Sequence, residues 1–237
     1  MGASTSEPAR PIRVACPLRF EQVRLQRVLP RGIAADCCGP GGAAAAAWVR
    51  QLPATTQKIA LVGVAGGLAD DCPPGHVCPI REVTSEDGRE RLLSDAARQL
   101  PDGPASVRGA SVERSATTPA AKRALRARTG AAVVDLESFA FAQAAVERGF
   151  SWLVVRIVSD GLNDTLPPDI DAWVAPDGRT RLRVVLAHIL RHPNDLPRLR
   201  RLAAAANSRA YRAAAALVLA HAGHSIETAP DRGVRST

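Results

Sequence analysis

Two acidic residues each follow an apolar run in the middle of this chain. Glu137 comes just after the run 131–134, and Asp160 follows Ser159 and the run 152–158. Carboxylates at the ends of two neighbouring strands can divide a reaction, because one can hold the substrate while the other moves a proton. Taken singly, Glu137 is better explained by the N-terminus of a helix and Asp160 by a turn. As a pair they predict a catalytic site.

A strand–helix–strand unit would position this pair. The apolar runs 131–134 and 152–158 predict strands, and residues 138–148 between them predict a helix. A right-handed crossover makes such strands parallel and brings Glu137 and Asp160 to the same edge of one sheet. Ligands of open α/β sheets bind at that carboxyl edge.

The rest of the chain alternates between short apolar runs and segments of helical character. This alternation predicts one α/β domain over residues 11–224, with a largely parallel or mixed sheet and disordered tails at 1–10 and 225–237. Strands are predicted at 12–16, 33–38, 59–63, 77–83 and 106–113, and helices at 21–28, 43–52, 89–99, 119–128, 180–191 and from 194 or 195 to about 220.

The composition is that of a basic chain with few aromatic residues. The 237 residues carry a formal charge of +8, and 3% are aromatic. Nine arginines and one acid, Asp195, lie between residues 179 and 212. A solvated surface explains this excess as well as an anionic lipid or a phosphorylated substrate does. We predict no nucleic-acid binding, because the chain has no recognisable reading helix, aromatic pair or zinc framework.

Cysteine usage and apolar runs indicate a cytoplasmic protein. No run reaches 18 apolar residues, and the N-terminal residues contain no apolar signal segment. The five cysteines are therefore not expected to form a disulfide framework. Cys72, His76 and Cys78 lie close together but lack a second ligand pair, so we expect a proline turn there and no metal.

Two glycine-rich turns could let the backbone approach a ligand closely. Gly63–Gly67 follows the strand predicted at 59–63, and Gly39–Gly42 precedes an alanine-rich helix. Neither contains the spaced glycines of a dinucleotide site or the Lys-Ser/Thr of a P-loop. A tight turn without a ligand explains the first one equally well, and the second could bind an anion at the helix N-terminus.

Five segments share their order and spacing, over about residues 12–165, with the motifs of one known superfamily. The resemblance is to the purine nucleoside phosphorylase and methylthioadenosine/adenosylhomocysteine nucleosidase superfamily. It implies a three-layer α/β/α sandwich with a central mixed sheet. The matching segments are Pro17–Glu21, Gly39–Ala43, Val62–Leu68 (similar to G-x-A-G-G-L), Asp135–Ser138 (similar to E/D-M-E-S/A) and Val154–Asp160 (similar to V-R-x-x-S-D).

This resemblance implies cleavage of the N-glycosidic bond of a purine nucleoside, with a role for each charged residue. Asp160 would protonate purine N7. To hold a proton near neutral pH, this carboxyl group must be desolvated or hydrogen-bonded. Glu137 would accept hydrogen bonds from the 2′ and 3′ hydroxyls and face the developing positive charge of the ribose. Glu21 and Arg156 would place the attacking water or phosphate.

Further contacts follow from the same motifs. Leu136 replaces a methionine that commonly packs against ribose, and Ser159 could position Asp160. Val64 stands where nucleosidases often carry serine, which leaves hydrolysis and phosphorolysis open. Phosphate is thus a candidate co-substrate, and no other cofactor is expected. The implied substrate-binding set is Glu137, Leu136, Ser159, Val64, Ala65 and Gly66, and the implied phosphate or water site is Gly39, Gly41 and Arg156.

Two segments narrow the resemblance to the hopanoid-associated phosphorylase branch: Thr117–Lys122 and the C-terminal region from Leu182 to Ala205. This implies adenine release from adenosylhopane by a homo-oligomer, with a dimer favoured. The basic C-terminal helices could then contact anionic lipid at the inner membrane face, although ordinary packing on the sheet explains them too. The alternatives are a methylthioadenosine/adenosylhomocysteine nucleosidase, another purine nucleoside phosphorylase, or a nucleoside- or lipid-binding module without activity.

Overall fold

The computed structural model describes residues 12–98, 100 and 105–223. The tails predicted at 1–10 and 225–237 lie outside these residues. None of the described helices combines the length and the apolar character needed to cross a membrane.

Strands and helices alternate along the described residues. The strands are β1 (Arg13–Cys16), β2 (Ala35–Cys37), β3 (Lys58–Gly67), β4 (Val77–Thr84), β5 (Arg91–Leu93), β6 (Val107–Ser111), β7 (Val133–Asp135) and β8 (Ser151–Asp160). The helices are α1 (Arg19–Gln26), α2 (Gly42–Gln51), α3 (Asp95–Arg98), α4 (Pro119–Thr129), α5 (Ser138–Glu147), α6 (Leu182–Arg191), α7 (Leu196–Ala205) and α8 (Ser208–Ala222), with 3₁₀ turns at Ile170–Trp173 and Pro193–Asp195.

The described strands form one mixed sheet of eight, which confirms the predicted α/β class. Part of this sheet closes on itself: β3 pairs with β8, β8 with β4, β4 with β6, β6 with β7, and β7 returns to the far end of β3. The strands β1 and β2 extend the sheet from β3, and β5 extends it from β4. The long strands β3 and β8 therefore lie at the centre of the fold.

The strand β8 is buried on both faces, as expected for a central strand with helices on either side. Leu153, Val155 and Ile157 belong to the apolar cluster that includes α8 residues, whereas Val154 and Val158 belong to the cluster that includes residues of α2 and α5. Polar side chains on this strand are consequently surrounded by packed elements and withdrawn from water.

The predicted parallel crossover between β7 and β8 is wrong. These strands do not pair with each other, and β7 runs antiparallel to β3 whereas β8 runs parallel to it. The glycines 66 and 67 explain the difference, because they carry the end of β3 past β7 and close the sheet. Glu137 therefore lies beside the middle of β8 and not beside Asp160 at its end.

Three local predictions also need correction. Residues 65–67 continue β3 and do not form a turn, because small residues allow neighbouring side chains to lie against the strand. The helix predicted at 89–99 is β5 followed by the short α3, since residues 91–93 pair with β4. The long C-terminal helix is interrupted between α7 and α8, where the Asn207 side chain caps α8 by accepting from the Arg209 and Ala210 N–H groups.

Candidate active site

Glu137 lies where β7 ends and α5 begins, and its carboxylate is bonded to two other elements. It is nearly buried, with 6% of its surface exposed. The Gly41 N–H donates to Oε1 at 3.0 Å, and Nη2 of Arg156 donates to Oε2 at 3.1 Å. Since a carboxylate oxygen can accept two hydrogen bonds, both oxygens retain capacity for a ligand's hydroxyl groups.

Arg156 is the centre of this cluster and is completely buried. Its Nε donates to Asp135 Oδ2 at 2.8 Å and lies 3.2 Å from Ser138 Oγ. Its Nη1 finds no hydrogen-bond partner among the described residues and lies against Gly63, where a Cβ would come within 2.5 Å of it. Only glycine leaves room for the guanidinium there, and Nη1 remains a donor for a bound molecule.

Asp135 joins the cluster although the sequence analysis gave it no role. Its Oδ1 accepts from the Glu137 and Ser138 N–H groups at 3.0 and 2.9 Å, so it caps the start of α5 while its Oδ2 accepts from Arg156. An aspartate that accepts from the backbone N–H groups two and three positions on forms an Asx turn, and an aspartate three positions before the start of a helix is the signal that could have identified it.

Glu21 lies in the first turn of α1 and connects that helix to β3. The Val64 N–H donates to its Oε1 at 2.7 Å and the Leu18 N–H to its Oε2 at 2.8 Å. Burial raises the pKa of Glu21 to about 8, against the opposing effects of the Val64 hydrogen bond and of Arg156. A carboxyl group with this pKa is a much stronger base than an exposed glutamate, which suits removal of a proton from water.

The guanidinium thus forms ion pairs with two carboxylates, and a third carboxylate, that of Glu21, lies nearby. Burial raises the pKa of Glu137, and Arg156 only partly opposes that effect. Burial also acts on Asp135, but Arg156 and the hydrogen bonds from Ser138 outweigh it and leave the pKa of Asp135 below its ordinary value. With Asp135 and Arg156 both charged, ionisation of Glu21 or Glu137 makes the cluster negative.

Asp160 belongs to a second charged group, on the α4 side of β8. Ser159 Oγ donates to its Oδ1 at 2.6 Å, and the Lys122 ammonium forms an ion pair with its Oδ2. Only 3% of Asp160 and none of Lys122 is exposed. Lys122 Nζ also donates to the carbonyl oxygens of Gly161 at 2.6 Å and Asp164 at 3.2 Å.

Sequence reasoning missed Lys122, although a signal was present. Lys122, Leu125 and Thr129 are the buried residues of α4, and their spacing of three and four positions places them on one helix face. A lysine in register with an apolar helix stripe needs a buried partner, because an unpaired ammonium is costly to desolvate.

The remaining predicted site residues lie between or beside these two groups. Gly66 contacts the Asp160 carboxylate closely, since a Cβ there would lie 3.2 Å from Oδ2 and 3.2 Å from Val134 Cγ1. The Ala65 carbonyl oxygen lies 3.2 Å from Ser159 Oγ, and Leu136 packs against the apolar cluster that contains Val134. Val64 contributes its N–H to Glu21, as described above.

The predicted phosphate or water site is only partly assembled. The Gly41 N–H is engaged by Glu137, and Gly39 faces a different loop, with a hypothetical Cβ 2.7 Å from the Pro176 carbonyl oxygen. The Arg156 side chain presents an unused donor, at Nη1. No group of three or more His, Cys, Asp or Glu side chains in the described ranges is arranged to hold a metal ion.

The structure brings Glu21, Glu137 and Arg156 together and keeps Asp160 apart. Arg156 and Asp160 are four positions apart on β8, a Cα separation of roughly 13 Å in an extended strand. The end of β7 spans this gap, because Val134 lies beside Gly66 and Asp160 whereas Glu137 contacts Arg156. A cavity of about 370 Å³ borders the Asp160 end and is lined by Ser159, Asp164, the 74–75 turn and residues of α7.

One family profile and several solved structures are similar to this chain. Residues 105–191 match the sequence profile of the phosphorylase superfamily. No curated protein sequence matches the chain at a significant level. The matched segment contains Glu137, Arg156, Asp160 and Lys122.

Solved structures share the fold across most of their length. Futalosine hydrolase of Helicobacter pylori superposes with a TM-score of 0.63 at 13% identity, covering 91% of this chain and 98% of that one. The MTA/SAH nucleosidase of Streptococcus pneumoniae, in complex with 8-aminoadenine, gives 0.58 at 17% identity, covering 71% and 93%. The S-adenosylhomocysteine nucleosidase of Streptococcus pyogenes, in complex with 5-methylthiotubericidin, gives 0.58 at 19% identity, covering 68% and 87%. The chain therefore has the fold of these nucleosidases, and its segment 105–191 is similar to the phosphorylase superfamily.

Proposed function

We propose that this chain hydrolyses the N-glycosidic bond of an adenine nucleoside. The observation that carries the proposal is the division of buried charge along β8, with a cluster rich in carboxylates around Arg156 and a lysine-paired carboxylate at Asp160. Cleavage of such a bond develops positive charge on the ribose and negative charge on the departing purine. A negative group is needed near the sugar and a proton near the base, and the two groups supply these at separate places.

Glu137 holds the ribose in this mechanism. Its two oxygens are fixed in direction by Gly41 and Arg156 and each has capacity for one hydroxyl of the sugar. Leu136, next to it, offers apolar contact to the ring, and the end of β7 leads from the sugar to the base at Asp160. The negative charge of Glu137 stabilises the ribosyl cation as the bond breaks.

Water is the nucleophile that this cluster favours over phosphate. A phosphate dianion requires several free cationic donors, but the Arg156 guanidinium is already shared by Asp135 and Glu137 and offers unused N–H groups on one nitrogen only, Nη1. Glu21 adds a further carboxylate beside Gly63, which would repel an anion when ionised. The same Glu21, with its raised pKa, can take the proton of a water molecule that attacks the sugar.

For the nucleoside itself, our leading candidate is adenosylhopane. The resemblance of Thr117–Lys122 and the C-terminal region supports it, together with an apolar stripe on α6. Leu182, Leu186 and Leu190 recur every four residues with 74%, 57% and 74% of their surface exposed, between exposed arginines. Such a helix suits an apolar substrate delivered from an anionic membrane surface. A dimeric assembly and a cytoplasmic location at the inner membrane face stay predictions of the resemblance.

Methylthioadenosine and adenosylhomocysteine are the second candidates. The fold likeness to nucleosidases solved with 8-aminoadenine and 5-methylthiotubericidin supports them. They differ from adenosylhopane in the group attached to the 5′ carbon and share its adenine and ribose.

Adenine release from these three nucleosides, with and without phosphate, tests the proposal. We expect hydrolysis of at least one substrate at a rate independent of phosphate, detected as free adenine by chromatography. Glu137→Gln should lower kcat/KM by roughly 100-fold, because two hydrogen bonds to a charged acceptor weaken. The matched control is Glu147→Gln at the exposed end of the same helix, which should retain full activity. If the wild-type chain releases adenine from none of them, the proposed function is wrong; a strict requirement for phosphate would overturn hydrolysis alone.

A further inference from the structure

The Lys122 ammonium is surrounded by three acceptors, one for each of its protons. They are Asp160 Oδ2 and the carbonyl oxygens of Gly161 and Asp164. Lys122 is fully buried, and the chain contains only two lysines among its 31 lysine and arginine residues. A lysine at this position is therefore a departure from the chain's strong preference for arginine. The two residues differ chemically, because an ammonium can release a proton whereas a guanidinium does not.

Each oxygen of the Asp160 carboxylate accepts a hydrogen bond from a neighbouring side chain. Its Oδ1 accepts from Ser159 Oγ at 2.6 Å and its Oδ2 accepts from Lys122. Both oxygens receive donors, and a carboxylate in this state has no proton of its own to give. The departing purine nevertheless needs a proton at N7, so the proton must come from a neighbouring donor.

We propose that Lys122 is the source of that proton and that Asp160 passes it on. This inference rests on the proposed function and assigns a positioning residue behind its acid. When the substrate covers the site, one proton moves from Lys122 Nζ to Asp160 Oδ2, leaving a neutral amine and a neutral carboxyl group. As the C1′–N9 bond breaks, its electron pair stays with the purine and N7 takes the proton from Asp160. Water bonds to C1′ and gives its proton to Glu21, and solvent later returns a proton to Lys122.

The three acceptors suit both protonation states without a rearrangement. After Lys122 gives up one proton, its two remaining N–H groups can still donate to the Gly161 and Asp164 carbonyls. Its lone pair then points at the proton on Asp160 Oδ2. Ser159, the other donor to Asp160, is a far weaker acid than an ammonium. The charged groups bonded to this unit are Asp160, Lys122 and Asp164, whose carboxylate accepts from the Gly161 N–H at 2.8 Å.

Two substrates with different leaving groups test this proposal. An adenine nucleoside needs a proton on its leaving group, whereas 4-nitrophenyl β-D-ribofuranoside releases a nitrophenolate that leaves as an anion. Lys122→Arg keeps the positive charge but cannot release a proton. We expect it to lower kcat for the adenine nucleoside by about 100-fold or more, the range of general acid catalysis, with kcat for the nitrophenyl riboside nearly unchanged. Lys58→Arg, at the other lysine, should change neither rate.

Lys122→Met provides a second, independent measurement. At each pH, the rate for the adenine nucleoside is divided by the rate for the nitrophenyl riboside. The contribution of Glu21 cancels in this ratio, because both reactions use it. Without its cation, buried Asp160 becomes a neutral acid with a raised pKa, and it can serve only below that pKa. In the wild type, the rate for the adenine nucleoside divided by the rate for the nitrophenyl riboside should stay high up to a higher pH, because the lysine supplies the proton. The alkaline fall of the ratio should therefore move to lower pH in Lys122→Met.

Each outcome decides the proposal. Equal loss on both substrates in a folded Lys122→Arg, or no loss on either, would overturn it, as would a shift of the alkaline fall to higher pH in Lys122→Met. If Lys122→Arg does not fold, the direction of the shift in Lys122→Met decides alone. If the wild type cleaves the nitrophenyl riboside and the adenine nucleoside but the ratios do not respond, the inference fails while the proposed function stands. If the wild type cleaves neither, the proposed function itself has failed.

Discussion

The two buried charged groups on β8 differ in how their charges balance. The Arg156 guanidinium forms ion pairs with Asp135 and Glu137. It lies against Gly63, as does the Glu21 carboxylate. At the other end, Lys122 and Asp160 form a pair of one cation and one anion. The first group can become negative and the second stays neutral overall. The comparison teaches that this fold can place excess negative charge around Arg156 while it pairs the charges at Asp160, and the proposed function depends on this separation.

Of the substitutions that remove one charged side chain, loss of the Arg156 guanidinium should destabilise the protein most. Arg156→Met leaves Asp135 and Glu137 buried without their cation, and we expect a loss of about 3–5 kcal/mol in the free energy of unfolding, measured by urea denaturation. Lys122→Met should cost less, because its single carboxylate can become neutral by binding a proton. Arg13→Met, which removes the exposed pair with Asp36, is the control and should cost at most about 1 kcal/mol. Similar losses for all three variants would show that the charge balance does not matter.

A methyl group added beside each charged group should destabilise the protein more at the Arg156 group than at the Asp160 group. In Gly63→Ala, the new Cβ would lie 2.5 Å from Arg156 Nη1 and 3.1 Å from Glu21 Oε1, so the packed guanidinium must move. In Gly66→Ala, the nearest atoms lie at 3.2 Å, and small shifts of Asp160 and Val134 suffice. We expect stability losses of about 3 kcal/mol and about 1 kcal/mol, within the usual range for overpacking, from thermal unfolding. A larger loss for Gly66→Ala than for Gly63→Ala would show that the Asp160 group tolerates added volume less well than the Arg156 group.

The effect most specific to one residue should come from the titration of Glu21. Because its pKa is about 8, the rate of hydrolysis should rise with pH through that value as the base ionises. Stability should move the other way: between the ordinary pKa of 4.5 and about 8 the folded chain holds a proton that the unfolded chain has lost, so the free energy of unfolding falls as pH rises. Glu21→Gln should remove the trend in rate and weaken the trend in stability, to which the raised pKa of Glu137 also contributes. A pH–rate profile and urea denaturation at each pH measure them, and a rate that is flat across pH 7–9 would contradict this role.

The sequence predicted the charged residues of the site better than their arrangement. Glu137 and Asp160 were recognisable because each follows an apolar run, and strand ends are where such side chains meet ligands. Their expected neighbourhood depended on a parallel crossover, and this was wrong because Gly66 and Gly67 let β3 continue to β7. A glycine pattern does not distinguish a turn from a strand that other elements approach closely.

Lys122 and the break between α7 and α8 show two other limits. The partner of Lys122 lies 38 positions away, so its burial depends on how α4 packs and not on local sequence. Asn207 ends one helical run and caps the next, but alanine-rich sequence on both sides hides the boundary from periodicity alone. Strands and helices with strong apolar patterns, such as β4, α4 and β8, were predicted close to their observed positions.

The register of β8 against β3 shifts between Ala65 and Gly66, where Val158 and then Asp160 are the successive partners and Ser159 is the extra residue. In an unbroken strand, positions 156 and 160 would project to the same face, but here Arg156 reaches α5 while Asp160 reaches α4. A single extra residue in the strand is thus enough to direct Arg156 and Asp160 toward different helices. Protein engineers who wish to fit a differently shaped nucleoside could vary the length of this strand before touching a single reactive group.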